Sequence, residues 1–90
     1  MTGEQEKARE DIANRLARIA GHAASLKRLW DEGRESREML TQVAAVRAAL
    51  DAVGRAILEQ EIDHQLSRAL VYGVSDEASR ALKEALDRLL

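Results

Sequence analysis

The sequence predicts an all-α protein, and three observations carry that prediction. Pro, Phe and Cys are absent and Ala and Leu dominate, a composition that suits helices better than strands. Apolar residues recur at steps of three and four over long stretches, the period of a helix face. Turn-forming residues separate those stretches, at Asp31-Glu32-Gly33 and at Tyr72-Gly73. Three helices are expected, over about residues 4–31, 36–70 and 76–90, in a single domain spanning 1–90.

The first residues, 1–5, are expected to fray, with Thr2 a candidate cap. In the first helix Ile12, Leu16, Ile19, Ala23, Leu26 and Trp30 form one stripe. Gly33 suits the left-handed residue that ends a helix. Ser36 is a candidate cap for the second helix, with Glu38 placed favourably for its dipole. The connection is short, so the first two helices should lie antiparallel. In the second helix Met39, Val43, Val46, Leu50, Val53 and Ile57 form a seam. Leu40, Ala44, Leu58 and Ile62 form a second stripe beside it, more apolar surface than one neighbour can cover. Ser75-Asp76-Glu77 starts the third helix, whose face is Ala78, Ala81, Leu82, Ala85, Leu86 and Leu89. Gly21 sits inside the first helix, as a tolerated surface glycine or a place of close backbone approach.

A thin Ala and Leu core on 90 residues is marginal alone. Self-association is the usual remedy where neither disulfides nor metals serve. The lack of Cys fits a cytoplasmic protein and removes thiol chemistry. No apolar run approaches the ~20 residues of a membrane span, and no signal peptide is apparent. The net charge of -2 and pI near 5.7 argue against DNA binding by bulk charge. The middle of the chain is nevertheless basic, with Arg15, Arg18, Lys27, Arg28, Arg34, Arg37, Arg47 and Arg55 against fewer carboxylates.

Two constellations stand out. Arg15, Arg18 and His22 share one side of the first helix, flanking its stripe, and Arg47 flanks the seam of the second. Guanidinium groups on rigid helices suit phosphate, although spacing alone favours a solvated, salt-bridged surface. Further along, the seam of the second helix becomes polar at Gln60 and His64, with Glu61 and Gln65 on an adjacent face. Ser36 falls on nearly the same side as Glu61 and Gln65, yet about 37 Å from Glu61 along the axis. Two copies of this helix crossing antiparallel near Ala49 and Leu50 would bring Ser36 of one to Glu61 and Gln65 of the other. The alternative is a hydrated helix end. His22 and His64 are the only histidines, and neither adjoins a nucleophile, a phosphate loop or a carboxylate pair, so no enzyme activity and no cofactor are expected. His64 with Glu61 or Gln60 is an incomplete metal shell, and no metal site is assigned.

Two motifs carry a resemblance. Arg15-Leu16-Ala17-Arg18-Ile19-Ala20-Gly21-His22 resembles the pattern R-L-x-R-I-E-G-Q, and Leu40-Thr41-Gln42-Val43-Ala44-Ala45-Val46-Arg47-Ala48-Ala49-Leu50 resembles L-T-Q-I-S-A-V-R-A-A-L. Both belong to the CsoR/RcnR/FrmR repressors, which sense copper, nickel and cobalt, or formaldehyde. The likeness runs from about Ile12 to Leu66 in constant register. It implies a three-helix protomer, an antiparallel four-helix-bundle dimer and a dimer of dimers. It also implies operator DNA as partner, contacted by Arg15, Arg18 and Arg47, with His22 in place of the family Gln. It turns the reading of the basic face toward DNA.

The family's sensing chemistry does not carry over. The copper branch places a Cys at the start of the second helix and a His and a Cys, four residues apart, from the partner chain. Those positions are Ser36, Glu61 and Gln65 here, and hard oxygen donors do not select Cu(I). The nickel–cobalt branch adds a terminal amine and a nearby His, where this chain has Thr2 and Gly3. The formaldehyde branch needs a terminal Pro and the same Cys, and persulfide sensors need two Cys. His64 falls one residue before the last ligand position. The expectation is therefore a cysteine-free, CsoR-like repressor whose inducer has changed or been lost. Its effector pocket, if a small effector exists, would involve Ser36, Glu61, His64 and Gln65. The alternatives are an oligomeric scaffold that no longer binds DNA, or a sensor of a hard metal or small polar ligand.

Overall fold

In the computed structural model, which describes residues 3–90, three helices follow one another: α1 (Gly3–Asp31), α2 (Ser36–Tyr72) and α3 (Asp76–Leu89). The candidate cap Thr2 lies outside the described residues. Residues 3–5 already belong to α1 instead of fraying ahead of it.

The connections obey simple backbone rules. Arg34 N donates to Leu29 O at 3.1 Å and Gly33 N to Trp30 O at 3.0 Å, with Gly33 at φ 82°. This is the paired hydrogen-bond pattern that closes a helix over a left-handed residue. Met39 N then donates to Glu35 O at 3.0 Å. Glu35, not Ser36, therefore holds the cap position of α2, and Ser36 is its first helical residue. The second helix continues to Tyr72, past the expected end near residue 70, and stops at Gly73, φ 80°. Ser75 caps α3, its Oγ accepting from Ala78 N at 3.0 Å.

The chain divides within α2 into two compact units, Met1–Val53 and Gly54–Leu90. In the first, α1 lies antiparallel to the opening half of α2. Met39 and Val46 are buried there, as is Val53, only 2% exposed. Each such side chain contributes roughly 1.5–3 kcal/mol, so this is a small core.

The covered face of α1 includes half-buried Ala8, Ile12, Arg15, Ile19, His22, Leu26 and Leu29. Only Ile12, Ile19 and Leu26 of the expected stripe belong to it. Leu16, Ala23 and Trp30 remain exposed, Trp30 at 61%. On α2, likewise, Met39, Val46 and Val53 are covered while Leu40, Val43 and Leu50 are exposed. Two helices cover one side of each seam, and the other side stays open. In the second unit the later half of α2 packs with α3. There a Cβ on Gly54 would stand 2.8 Å from Leu89 Cδ1. Gly21 meets nothing within 4 Å, so no close approach occurs there in the single chain.

Candidate nucleic-acid interface

The basic residues singled out above lie in the first unit, and one hydrogen bond sets their register. His22 Nε2–H donates to Gln42 Oε1 at 2.7 Å, from α1 to α2. From that contact Arg18 lies four residues back along α1 and Arg47 five residues forward along α2. In antiparallel helices those are the same direction, about 6 Å and about 7.5 Å from the contact. Arg15 follows at about 10.5 Å. Arg15, Arg18, His22 and Arg47 thus fall along one stretch of the α1–α2 pair, near the middle of α1. Arg18 and Arg47 are exposed, whereas Arg15 and His22 are half-buried, within the helix seam and not flanking it.

Their charges are also unmatched. Lys27 pairs with Asp31 at 2.6 Å, Arg28 with Glu32 at 3.3 Å and Arg34 with Glu38 at 2.9 Å. These pairs gather around the turn between α1 and α2. Among the described residues, no carboxylate pairs with Arg15, Arg18 or Arg47 within 4.0 Å. The result is a neutralised turn and, farther along the pair, an open cationic stretch.

The proposed effector residues are divided between the units. Ser36 is exposed at the start of α2, in the first. In the second, Gln65 Nε2 donates to Glu61 Oε1 at 2.9 Å, both half-buried, while His64 is exposed. That bond occupies one carboxylate oxygen. A hydroxyl, a carboxylate and an amide do not fit a thiophilic ion, and with no Cys a thiolate site cannot form. Among the described residues, no cluster of three or more His, Cys, Asp or Glu could hold a metal. No described helix is long and apolar enough to cross a membrane.

Two features escaped sequence reasoning. Gln42 was noticed only as a motif letter, although its spacing from Met39 and Val46 puts it in the seam. The other is a cleft of about 240 Å³ between the end of α2 and α3, lined by Ile62, Gln65, Leu66, Arg68, Tyr72 and Leu82 among others. At its edge the Arg68 guanidinium sits 5.7 Å from the Tyr72 ring centroid. The Tyr72-Gly73 break was its only signal.

Comparison with known proteins bears on this geometry. A family model described as metal-sensitive transcriptional repressor matches residues 8–90. The copper-sensing transcriptional repressor RicR of Mycobacterium tuberculosis is 31% identical over 65 residues, 72% of this chain and 68% of RicR. The copper-sensing transcriptional repressor CsoR of Bacillus subtilis is 31% identical over 81 residues, 90% of this chain and 77% of CsoR. Among solved structures, the nickel-responsive transcriptional regulator InrS matches with a TM-score of 0.82 at 44% identity, covering 90% of this chain and 91% of InrS. The family match takes in both motifs, all four residues of the basic stretch and most of the three helices. The chain belongs to the metal-sensitive transcriptional repressor family.

Proposed function

We propose that this protein is a cytoplasmic, homo-oligomeric, operator-binding repressor whose inducer has changed or been lost. The observation that carries the reading is the open cationic stretch. Arg15, Arg18 and Arg47 lie along one part of the α1–α2 pair and, among the described residues, have no carboxylate partner, while Lys27, Arg28 and Arg34 are neutralised nearby. Phosphate oxygens are the partner that guanidinium forks fit. Such contacts concentrate charge locally, so a net charge of -2 does not oppose them.

Self-association supplies the rest. Leu16, Trp30, Leu40, Val43 and Leu50 leave an apolar surface open on the first unit. An antiparallel four-helix-bundle dimer would cover it, with the three helices of each chain acting as one domain, and dimers would pair to a tetramer. In that dimer Ser36 of one chain faces Glu61 and Gln65 of its mate. The pocket so formed presents oxygen and amide groups, with His64 beside it. This favours a small polar ligand or a hard cation over copper.

A second reading, an oligomeric scaffold that no longer binds DNA, draws on the acidic pI of 5.7 and on Ala24, where the family commonly has Arg. Fluorescence anisotropy with a duplex from upstream of the chain's own coding sequence separates the two. Repression predicts binding at low salt that persists at physiological salt. Absence of binding at both selects the scaffold. Calorimetry with a panel of divalent metals tests the pocket, and no heat from any of them removes the metal form.

A further inference from the structure

We infer that Gln42 positions His22 so that the protonated imidazole contacts a DNA phosphate, and that operator binding therefore takes up a proton. This rests on the DNA-binding reading above and goes beyond it by assigning one residue a positioning role and another a charge-dependent contact.

The geometry is specific about which ring nitrogen is left over. Gln42 Oε1 is an acceptor only, so the 2.7 Å contact places a hydrogen on Nε2 of His22. Among the described residues Nδ1 has no hydrogen-bond partner. In the neutral ring Nδ1 is an acceptor and offers a phosphate nothing. In the protonated ring it is a charged N–H donor, and the Nε2 bond to Gln42 survives unchanged in sense. Histidine is the side chain that ordinarily changes charge between about pH 5 and pH 8.

The surroundings set the direction of the linkage. On α1, Arg18 stands one turn and Arg15 two turns before His22. On α2, the only element packed against α1 in this unit, Arg47 lies toward the same end. Glu38 is one turn before Gln42 and is already held by Arg34 at 2.9 Å; Glu35 lies two turns before. A phosphate held by the arginines favours the charged ring in the complex. Affinity should then rise as pH falls. A one-unit rise in the ring's titration midpoint on binding corresponds to about tenfold tighter binding by the protonated form.

His22→Gln is the informative variant, because its amide N–H can still donate to Gln42 Oε1 while carrying no charge. Affinity for the upstream duplex is measured at about pH 5.5 and about pH 8 over a range of salt. His64 is present in both proteins, so the difference between them isolates His22. Wild type should bind severalfold more tightly at the lower pH, with a salt slope steeper by about 0.9, the value of one added phosphate contact. H22Q should lose both increments. NMR should show the wild-type His22 ring titrating at higher pH with DNA bound than without. Equal increments in wild type and H22Q, or a ring titration unmoved by DNA, overturns the proton linkage and leaves the interface standing. Absence of wild-type binding at either pH overturns the interface as well.

Discussion

Arg34 Nη1 lies 2.9 Å from Glu38 Oε1, and its Nε lies 3.9 Å from Glu32 Oε2, so one arginine ties the turn to the first turn of α2. The pair is about half exposed, where such contacts contribute roughly 0.3–0.5 kcal/mol. Because it is already neutralised, Arg34→Ala should lower stability by no more than about that amount and leave DNA affinity within a factor of two or so. Urea unfolding and anisotropy check the two halves. A large loss of DNA affinity in R34A would move the interface to the turn.

Gly21 and Gly54 are both interior to helices but differ in what surrounds them. Ala at an exposed helical glycine gains about 0.5–1 kcal/mol. Gly21→Ala should realise most of that, since open space surrounds the site. Gly54→Ala should realise less, because Leu89 Cδ1 has to move aside. Thermal melts of the two variants rank them. Destabilisation by G21A would mean that a second chain's backbone lies against Gly21 in the assembly.

Ser75 Oγ accepts from Ala78 N, one of the donors at the start of α3 that the helix itself leaves unpaired. Ser75→Ala should cost about 1 kcal/mol, and Ser75→Asp should restore it. Hydrogen exchange in residues 76–80 reads the effect locally. Faster exchange in S75A, confined to α3, is expected; unchanged exchange would show that packing alone holds the helix start.

The absence of Cys gives a clean background for testing the antiparallel dimer. The double variant S36C/Q65C should form a disulfide-linked dimer on mild oxidation, because the proposed dimer brings the two positions together across its interface and a bond needs Cα atoms within about 7 Å. Either single variant should stay monomer-sized on a non-reducing gel. Failure of the double variant to cross-link, with the protein still dimeric in solution, would replace this pairing with another.

The three helices and their breaks were legible because they rest on local chemistry: 3–4 periodicity, Gly33 and Gly73 at positive φ, and Ser75 before an acidic turn. The exact face of each helix was less so. The seam reading of α2 joined Met39, Val46 and Val53 with Val43, Leu50 and Ile57, although only the first three are buried. Steps of three and four describe two adjoining faces equally well, and one neighbour covers only one. On α1 the hydrophobic pattern chose Leu16, Ala23 and Trp30 over Arg15, His22 and Leu29, because polar seam residues do not register as core. Gln42 stayed hidden for the same reason. The proposed effector pocket has no sequence signal beyond a shared helical angle, since a second chain would be needed to complete it.

The salt dependence of operator binding tests the central claim most directly. For wild type, log affinity should fall linearly with log salt, with a slope of about -0.9 for each phosphate neutralised. Arg15→Ala and Arg47→Ala should each make the slope shallower by roughly 0.9, and weaken binding to every sequence alike where the lost contact is to phosphate. A wild-type slope near zero, or slopes unchanged in both variants, would contradict the assignment of this stretch of the α1–α2 pair to DNA.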